Sequence, residues 1–256
     1  MQVETSSSAI RHLYAVSRDS SARDVARLAL RQLQDAAVNR LYRRRPPTHS
    51  RLLNLGCGDC LYPGWVNADR FRTGYWIVKL GGVLRGEYRL PDWFLDAGAP
   101  WRCADDHWDG IYTEHMIEHL SYREAVASLG EMLRTLSPGR WARIIVPDLQ
   151  RYVDFCNGLR PNCEFRTRFA HGAEAISFLT QNFGHVSTWD GALLTAVLTE
   201  IGFVNVRVVA YGVGSDPALL RDSQGRRWES VYVEAQKRPR ASAPEPTSRP
   251  LEACLS

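Results

Sequence analysis

Two stretches of this 256-residue chain carry residue types at spacings that could do chemistry. The first, Leu52 to Asp69, reads LLNLGCGDCLYPGWVNAD. Its apolar start, Leu52, Leu53 and Leu55, stops at Gly56-Cys57-Gly58, the pattern of a strand buried on both faces of a parallel sheet and closed by a tight turn. Glycines there let a ligand come close to the main chain. Thirteen residues after Gly56, the run Trp65-Val66-Asn67-Ala68 ends in Asp69. A carboxylate is thereby expected at the carboxyl edge of the neighbouring strand, where a nucleotide ribose presents its hydroxyls. A dinucleotide would want G-x-G-x-x-G and a helix N-terminus for its pyrophosphate. Here the third position is Leu61, Pro63-Gly64 follow, and the lysine of a P-loop is absent. The turn suits a nucleoside without phosphate.

The second stretch is His115-Met116-Ile117-Glu118-His119, an H-x-x-E-H pattern. On a helix, His115 and His119 would share a face and hold zinc, with Glu118 as the general base of a zinc-dependent hydrolase. That reading needs a long helix across the motif. The pattern instead starts where a strand from Asp109 to Tyr112 ends. The alternative puts Thr113, Glu114 and His115 at that strand end, with Glu118 and His119 capping or bracing the helix that follows.

The elements that must position these residues alternate along the chain. Apolar residues from Ala125 to Leu136 recur at helical spacing over Tyr122–Leu136, stopped by Pro138-Gly139. Trp141–Val146 reads as a fifth strand and Ala192–Ile201 as a further helix closed by Gly202. Phe203–Tyr211 and Ser230–Ala235 alternate as a final antiparallel pair. Leu95-Asp96 reads as the end of the third strand. An aromatic- and glycine-rich stretch at 71–94 is taken as an insertion. Residues 149–188 interleave Tyr152, Phe155, Phe165, Phe169 and Phe178 with Arg151, Arg166 and Arg168, which is the composition expected of a substrate cap. Residues 1–18 carry no pattern and are expected without order. They begin an N-terminal helical extension over 1–48, in which Ser21 and Asp24 open a helix that ends near Arg45. The Pro/Ser/Ala-rich tail, 238–256, reads as disordered.

Composition bounds the partners. The formal charge is +4, carried almost wholly by arginine. The six cysteines show no disulfide-framework spacing, and Cys57 and Cys60 lack the second pair that a structural zinc site wants. A reduced, cytoplasmic setting is expected, and no apolar run reaches the length of a membrane span.

LNLGCG, PGWVNAD, LDAGAPW, DGIYTEHMIEHL, LSPGR and RIIVPDL stand in this order along the chain. With these motifs, residues 50–237 resemble the class I S-adenosylmethionine-dependent methyltransferases, in particular their type 11-like, small-molecule branch. The resemblance implies an α/β, Rossmann-like, doubly wound fold. Its seven-stranded sheet would be mostly parallel, with helices on both faces and a final antiparallel strand, in a methyltransferase domain over 49–237. It implies S-adenosyl-L-methionine as cofactor, held by Leu55, Gly56, Cys57, Gly58, Asp69, Arg70, Asp96, Ala97, Thr113 and Glu114, with Asp96 on the adenine amino group. Two positions depart from the pattern. Cys60 replaces the third glycine, and Asn54 replaces the acidic residue before the first.

The implied reaction is methylation of a small or medium-sized metabolite, most often on oxygen. A hydroxyl acceptor must lose a proton, and a neutral histidine is suited to take it. His115 is the first candidate by position, and His185 the second. The D/N-P-P-Y and Pro-Cys motifs of base-modifying methyltransferases are missing, which argues against nucleic acid as the partner. A non-catalytic, methyltransferase-like binding module is the other alternative. Neither motif nor composition sets the oligomeric state.

Overall fold

The computed structural model describes residues 8–16, 45–70, 81–86, 89–159 and 163–240. The expected helix from Ser21 and the tail beyond Arg240 lie outside the described residues. Residues 9–16, expected without order, form helix α1 (Ala9–Val16), which packs on the two helices labelled α2 and α6 below. Leu13 is its buried anchor, and Ser8 and the Ile10 N–H bond Glu200.

One sheet organises the molecule. Its strands are β1 (Leu52–Leu55), β2 (Val66–Asp69), β3 (Trp93–Phe94), β4 (Trp108–Glu114), β5 (Leu136–Pro147), β6 (Val204–Val209) and β7 (Ser230–Gln236). They lie in the order β3-β2-β1-β4-β5-β7-β6. β7 runs antiparallel to both β5 and β6, and the remaining pairs are parallel. This is the Rossmann-like, mostly parallel arrangement expected above. The chain leaves β1 in one direction along the sheet and returns to its other side as β4, and ligands of open α/β sheets bind at such a switch point, beyond the carboxyl ends of the strands.

Side chains alternate between the two faces with period two. Ile111, Ala142, Ile144, Val146, Val231 and Val233 face the main core, which includes α2 (Tyr122–Thr135) and α6 (Gly191–Ile201). Tyr112, Ile145 and Tyr232 face the other way, packing with Trp65 and Leu219. α2 starts where it does because Ser121 and Glu124 form a capping box, and α6 is opened by the Asp190 side chain and closed by Gly202 at φ 116°.

The region read as a substrate cap folds as α3 (Leu149–Cys156), α4 (Cys163–Arg168) and α5 (Gly172–Gln181). Several of its aromatics are buried among themselves. Tyr152, Phe165 and Phe169 pack with Trp228 into a second, separate core, and Arg168 lies over the Trp228 ring at 4.6 Å.

On the Tyr112 face, β5 is tied to the 210–222 loop by a buried ion pair. The Arg143 guanidinium, 1% exposed, donates to both oxygens of Asp222, which is 2% exposed, and to the Val213 carbonyl at 2.9 Å. Removing one partner leaves the other charge buried without compensation, which costs about 3–5 kcal/mol. Asp222→Ala is therefore expected to lower unfolding stability in urea by about that amount. Arg143→Met combined with Asp222→Ala should recover a large part of it.

Candidate functional site

The carboxyl ends of β1, β2, β3 and β4 open on a common cavity of about 220 Å³. Its first wall is the glycine turn. Gly56 takes φ +73° and Gly58 φ +50°, in the left-handed region. A Cβ on Gly56 would also lie 2.3 Å from Cγ of Met116, so the position needs glycine for space as well as for angle. The Gly56 and Cys57 N–H groups both donate to the Ala68 carbonyl, at 2.8 and 3.0 Å, folding the turn back over the end of β2.

Ten residues, 56–65, join β1 to β2, and none is helical. Parallel crossovers are usually longer and carry a helix. Two buried amides do that organising work here. Asn54 Nδ2 donates to the Cys60 carbonyl at 2.7 Å and to Asn67 Oδ1 at 3.0 Å. Asn67 Oδ1 also accepts the Tyr62 N–H at 2.8 Å, while its Nδ2 donates to the Tyr62 carbonyl and to Asp92. A carboxylate at position 54 could make neither donation, so the departure from the family pattern is a structural necessity of this loop.

Asp69 closes the second wall. Its Oδ2 accepts the Gly58 N–H at 3.1 Å and its Oδ1 the Arg70 N–H at 2.7 Å. Asp96 follows β3, accepts the Gly98 N–H at 3.2 Å and lies 3.7 Å from Arg70 Nη2. Leu55, Gly56, Gly58, Asp69, Arg70, Asp96, Ala97 and His115 all line the cavity.

Three of the residues expected to hold the cofactor do not. Cys57 is buried beneath the turn, where burial pushes its thiol well above the ordinary range. Thr113 is fully buried within the sheet. Glu114 points to the opposite face, where its Oε1 accepts the Ser223 N–H at 3.0 Å. Consecutive strand residues face opposite ways, so Thr113 and Glu114 could not both reach one cavity.

His115 sits past the end of β4 at φ 52°, an uncommon angle for a residue with a side chain. Its Nε2 is 2.8 Å from Ser230 Oγ and its Nδ1 3.3 Å from Glu118 Oε1. The H-x-x-E-H segment is not an α-helix. Ile117–His119 form a 3₁₀ turn, so His115 and His119 do not share a helix face, and Glu118 and His119 do not cap α2. Met116 and His119, three apart on this tight turn, both line the cavity, as do Leu95 and Leu120. None of these four was singled out from the sequence as a cofactor contact, and His119 was named only as a zinc ligand. The one available signal was the spacing of Met116 and His119, which fits a 3₁₀ turn as well as a helix.

His185 is not in the cavity wall. It stands behind it, with Nδ1 2.6 Å from the Leu179 carbonyl and Nε2 3.8 Å from Glu118 Oε1. Its ring is 4.9 Å from that of His119.

No protein-family model matches the sequence, and no curated protein matches it. Solved structures do resemble the fold. An S-adenosylmethionine-dependent methyltransferase from Archaeoglobus fulgidus is 16% identical, with 81% of this chain and 94% of that one covered at a TM-score of 0.43. The apo form of the S-adenosylmethionine-dependent methyltransferase SibL is 17% identical over 91% of this chain and 66% of that one, TM-score 0.46. The CurJ carbon methyltransferase is 18% identical over 75% of this chain, TM-score 0.41, and this chain spans only 50% of its length. With every score below 0.5, the chemistry of the site rests on its own geometry.

Asn54→Asp should destabilise the protein by about 1–3 kcal/mol, because the Cys60 carbonyl loses its Asn54 donor, Asn67 Oδ1 loses one of its two donors, and a charge is placed in a buried position. Thermal or urea unfolding at neutral pH would measure this. Glu114 gives a pH-dependent counterpart. Burial raises its carboxyl above the ordinary glutamate range. A raised folded-state value contributes stability that is fully present below the unfolded value and is lost as pH rises through the folded one. The stability of Glu114→Gln relative to wild type should therefore be flat in acid and rise toward neutral pH, read from urea midpoints across that range.

Proposed function

We propose that this chain is an S-adenosyl-L-methionine-dependent methyltransferase that methylates oxygen on a small or medium-sized metabolite. One observation carries the reading. A glycine turn, Asp69 and Asp96, from the ends of three adjacent strands, converge on a single cavity at the switch point of the sheet. The residues fit the cofactor. Asp69 offers a carboxylate already aligned by main-chain N–H groups for ribose hydroxyls. Asp96 and Ala97 lie where a flat base would rest. Among the described residues no lysine lines the cavity and one arginine, Arg70, does, beside Asp96, which favours a nucleoside over a pyrophosphate.

The cofactor, when bound, supplies an electrophilic methyl group on a sulfonium. The residues around it bind, orient and exclude water, and alignment of this kind contributes about 7–11 kcal/mol at best. His115 is the proposed base because it borders the cavity; its Nε2 rests on Ser230 Oγ and its Nδ1 faces Glu118, so one of these contacts must open for the ring to take the acceptor's proton. His185, the second candidate from the sequence, does not line the cavity, which favours His115, the first. A small-molecule substrate is the proposed partner. Among the described residues no helix is long and apolar enough to cross a membrane, in keeping with the proposed cytoplasmic setting. A zinc hydrolase of the H-x-x-E-H kind is disfavoured by the 3₁₀ geometry of that segment.

S-adenosylhomocysteine titrated into the protein by calorimetry should bind at one site per chain, and NAD should not bind. Asp69→Ala should weaken binding by about 10- to 100-fold, the equivalent of losing charge-assisted hydrogen bonds worth roughly 1.5–3 kcal/mol. Equal affinity for wild type and variant would remove the cavity as the cofactor site.

A further inference from the structure

Behind the cavity wall lies a buried carboxylate that faces more than one histidine. The Glu118 side chain is 1% exposed, and neither carboxylate oxygen makes a hydrogen bond. Leaving a buried carboxylate in that condition is costly unless a cation faces it. Three imidazoles surround it: His115 Nδ1 stands 3.3 Å from Oε1, while His119 and His185 form with the carboxylate a group able to share one ion. The ligand atoms of Glu118, His119 and His185 all lie within 4.8 Å of one another. A shared ion with bonds of about 2.0–2.2 Å needs ligand atoms roughly 3–4 Å apart, within reach of small side-chain shifts.

The surroundings are already arranged for ligation. His185 Nδ1 is 2.6 Å from the Leu179 carbonyl, which makes Nδ1 the protonated nitrogen and leaves Nε2, the atom facing Glu118, with its lone pair. The main-chain carbonyl of Glu118 accepts the Val186 and Ser187 N–H groups at 2.9 and 3.1 Å, fixing the loop that carries His185 against the 3₁₀ turn that carries the other two residues.

We propose that Glu118, His119 and His185 bind one first-row divalent transition-metal cation, at a site that borders the cavity through His119. Two imidazoles and one carboxylate suit Zn²⁺, Mn²⁺, Fe²⁺ or Co²⁺ rather than Mg²⁺ or Ca²⁺, which favour all-oxygen shells. Three protein ligands leave open positions. If the methyltransferase reading holds, an open position directed to the cavity would take an oxygen of the acceptor, selecting substrates with a hydroxyl able to reach a metal. That last clause rests on the methyl-transfer reading, whereas the metal site itself does not.

The test uses untagged, full-length, metal-stripped protein. Co²⁺ titrated alone should give visible d–d absorption saturating at one ion per chain and displaced by Zn²⁺. Glu118→Gln and His185→Asn should each weaken Co²⁺ binding at least about 10-fold. His185→Asn keeps a polar side chain of similar reach and covers the case in which Glu118→Gln fails to fold, as judged by circular dichroism. Wild type without the d–d band, or both variants binding Co²⁺ as tightly as wild type, overturns the site. S-adenosylhomocysteine titrated into the same samples separates the two readings. Co²⁺ bound without nucleoside defeats the methyltransferase assignment alone, and nucleoside bound without Co²⁺ defeats the metal site alone.

Discussion

The cavity hangs on the side-chain amides of Asn54 and Asn67. β1 and β2 are joined by a short loop without a helix, so the main chain from Gly56 to Trp65 cannot satisfy itself by repeating hydrogen bonds. The two amides, both nearly fully buried, take up that task with donors and acceptors used together. Fully satisfied buried networks of this kind rigidify and specify one arrangement. They also explain both departures from the family pattern. Asn54 donates, which an acid cannot do, and Cys60 is exposed and takes no positive φ, so no third glycine is demanded.

Rigidity there has an electrostatic counterpart. Asp69 is held by two main-chain N–H groups and Asp96 by one, with Arg70 close to the second acid. The carboxylates are aligned by the fold itself rather than by a ligand, so little reorganisation is left for binding. Preorganised polar groups in a partly enclosed site cost nothing further at the moment of use.

Much of this was legible in the sequence because it is local. The apolar run before Gly56, the acid ending β2 and the helical spacing after Tyr122 each name their own element. What was not legible depends on which face or which distant segment a residue meets. Thr113 and Glu114 were placed beside the cavity because they end β4, but alternation sends one into the sheet and the other to the far side. The aromatics after Leu149 had the composition of a pocket wall, and nothing in their spacing announced Trp228, nearly 60 residues beyond Phe169, as the partner that makes them a core. β3 is only two residues long within an aromatic stretch, too short to show a period. His185 meets Glu118 and His119 only through tertiary folding, so no local pattern could join the three.

The doubly bonded carbonyl of Glu118 has a mechanical consequence. Its two acceptances from Val186 and Ser187 make the inner turn and the outer segment a single body, so that a thermal displacement of one is shared by the other. Phe183 and Gly184, both at positive φ, lie just before this junction and supply the bend that brings the chain down to it. Parting the two therefore takes the simultaneous loss of two neighbouring hydrogen bonds rather than the swing of an independent flap.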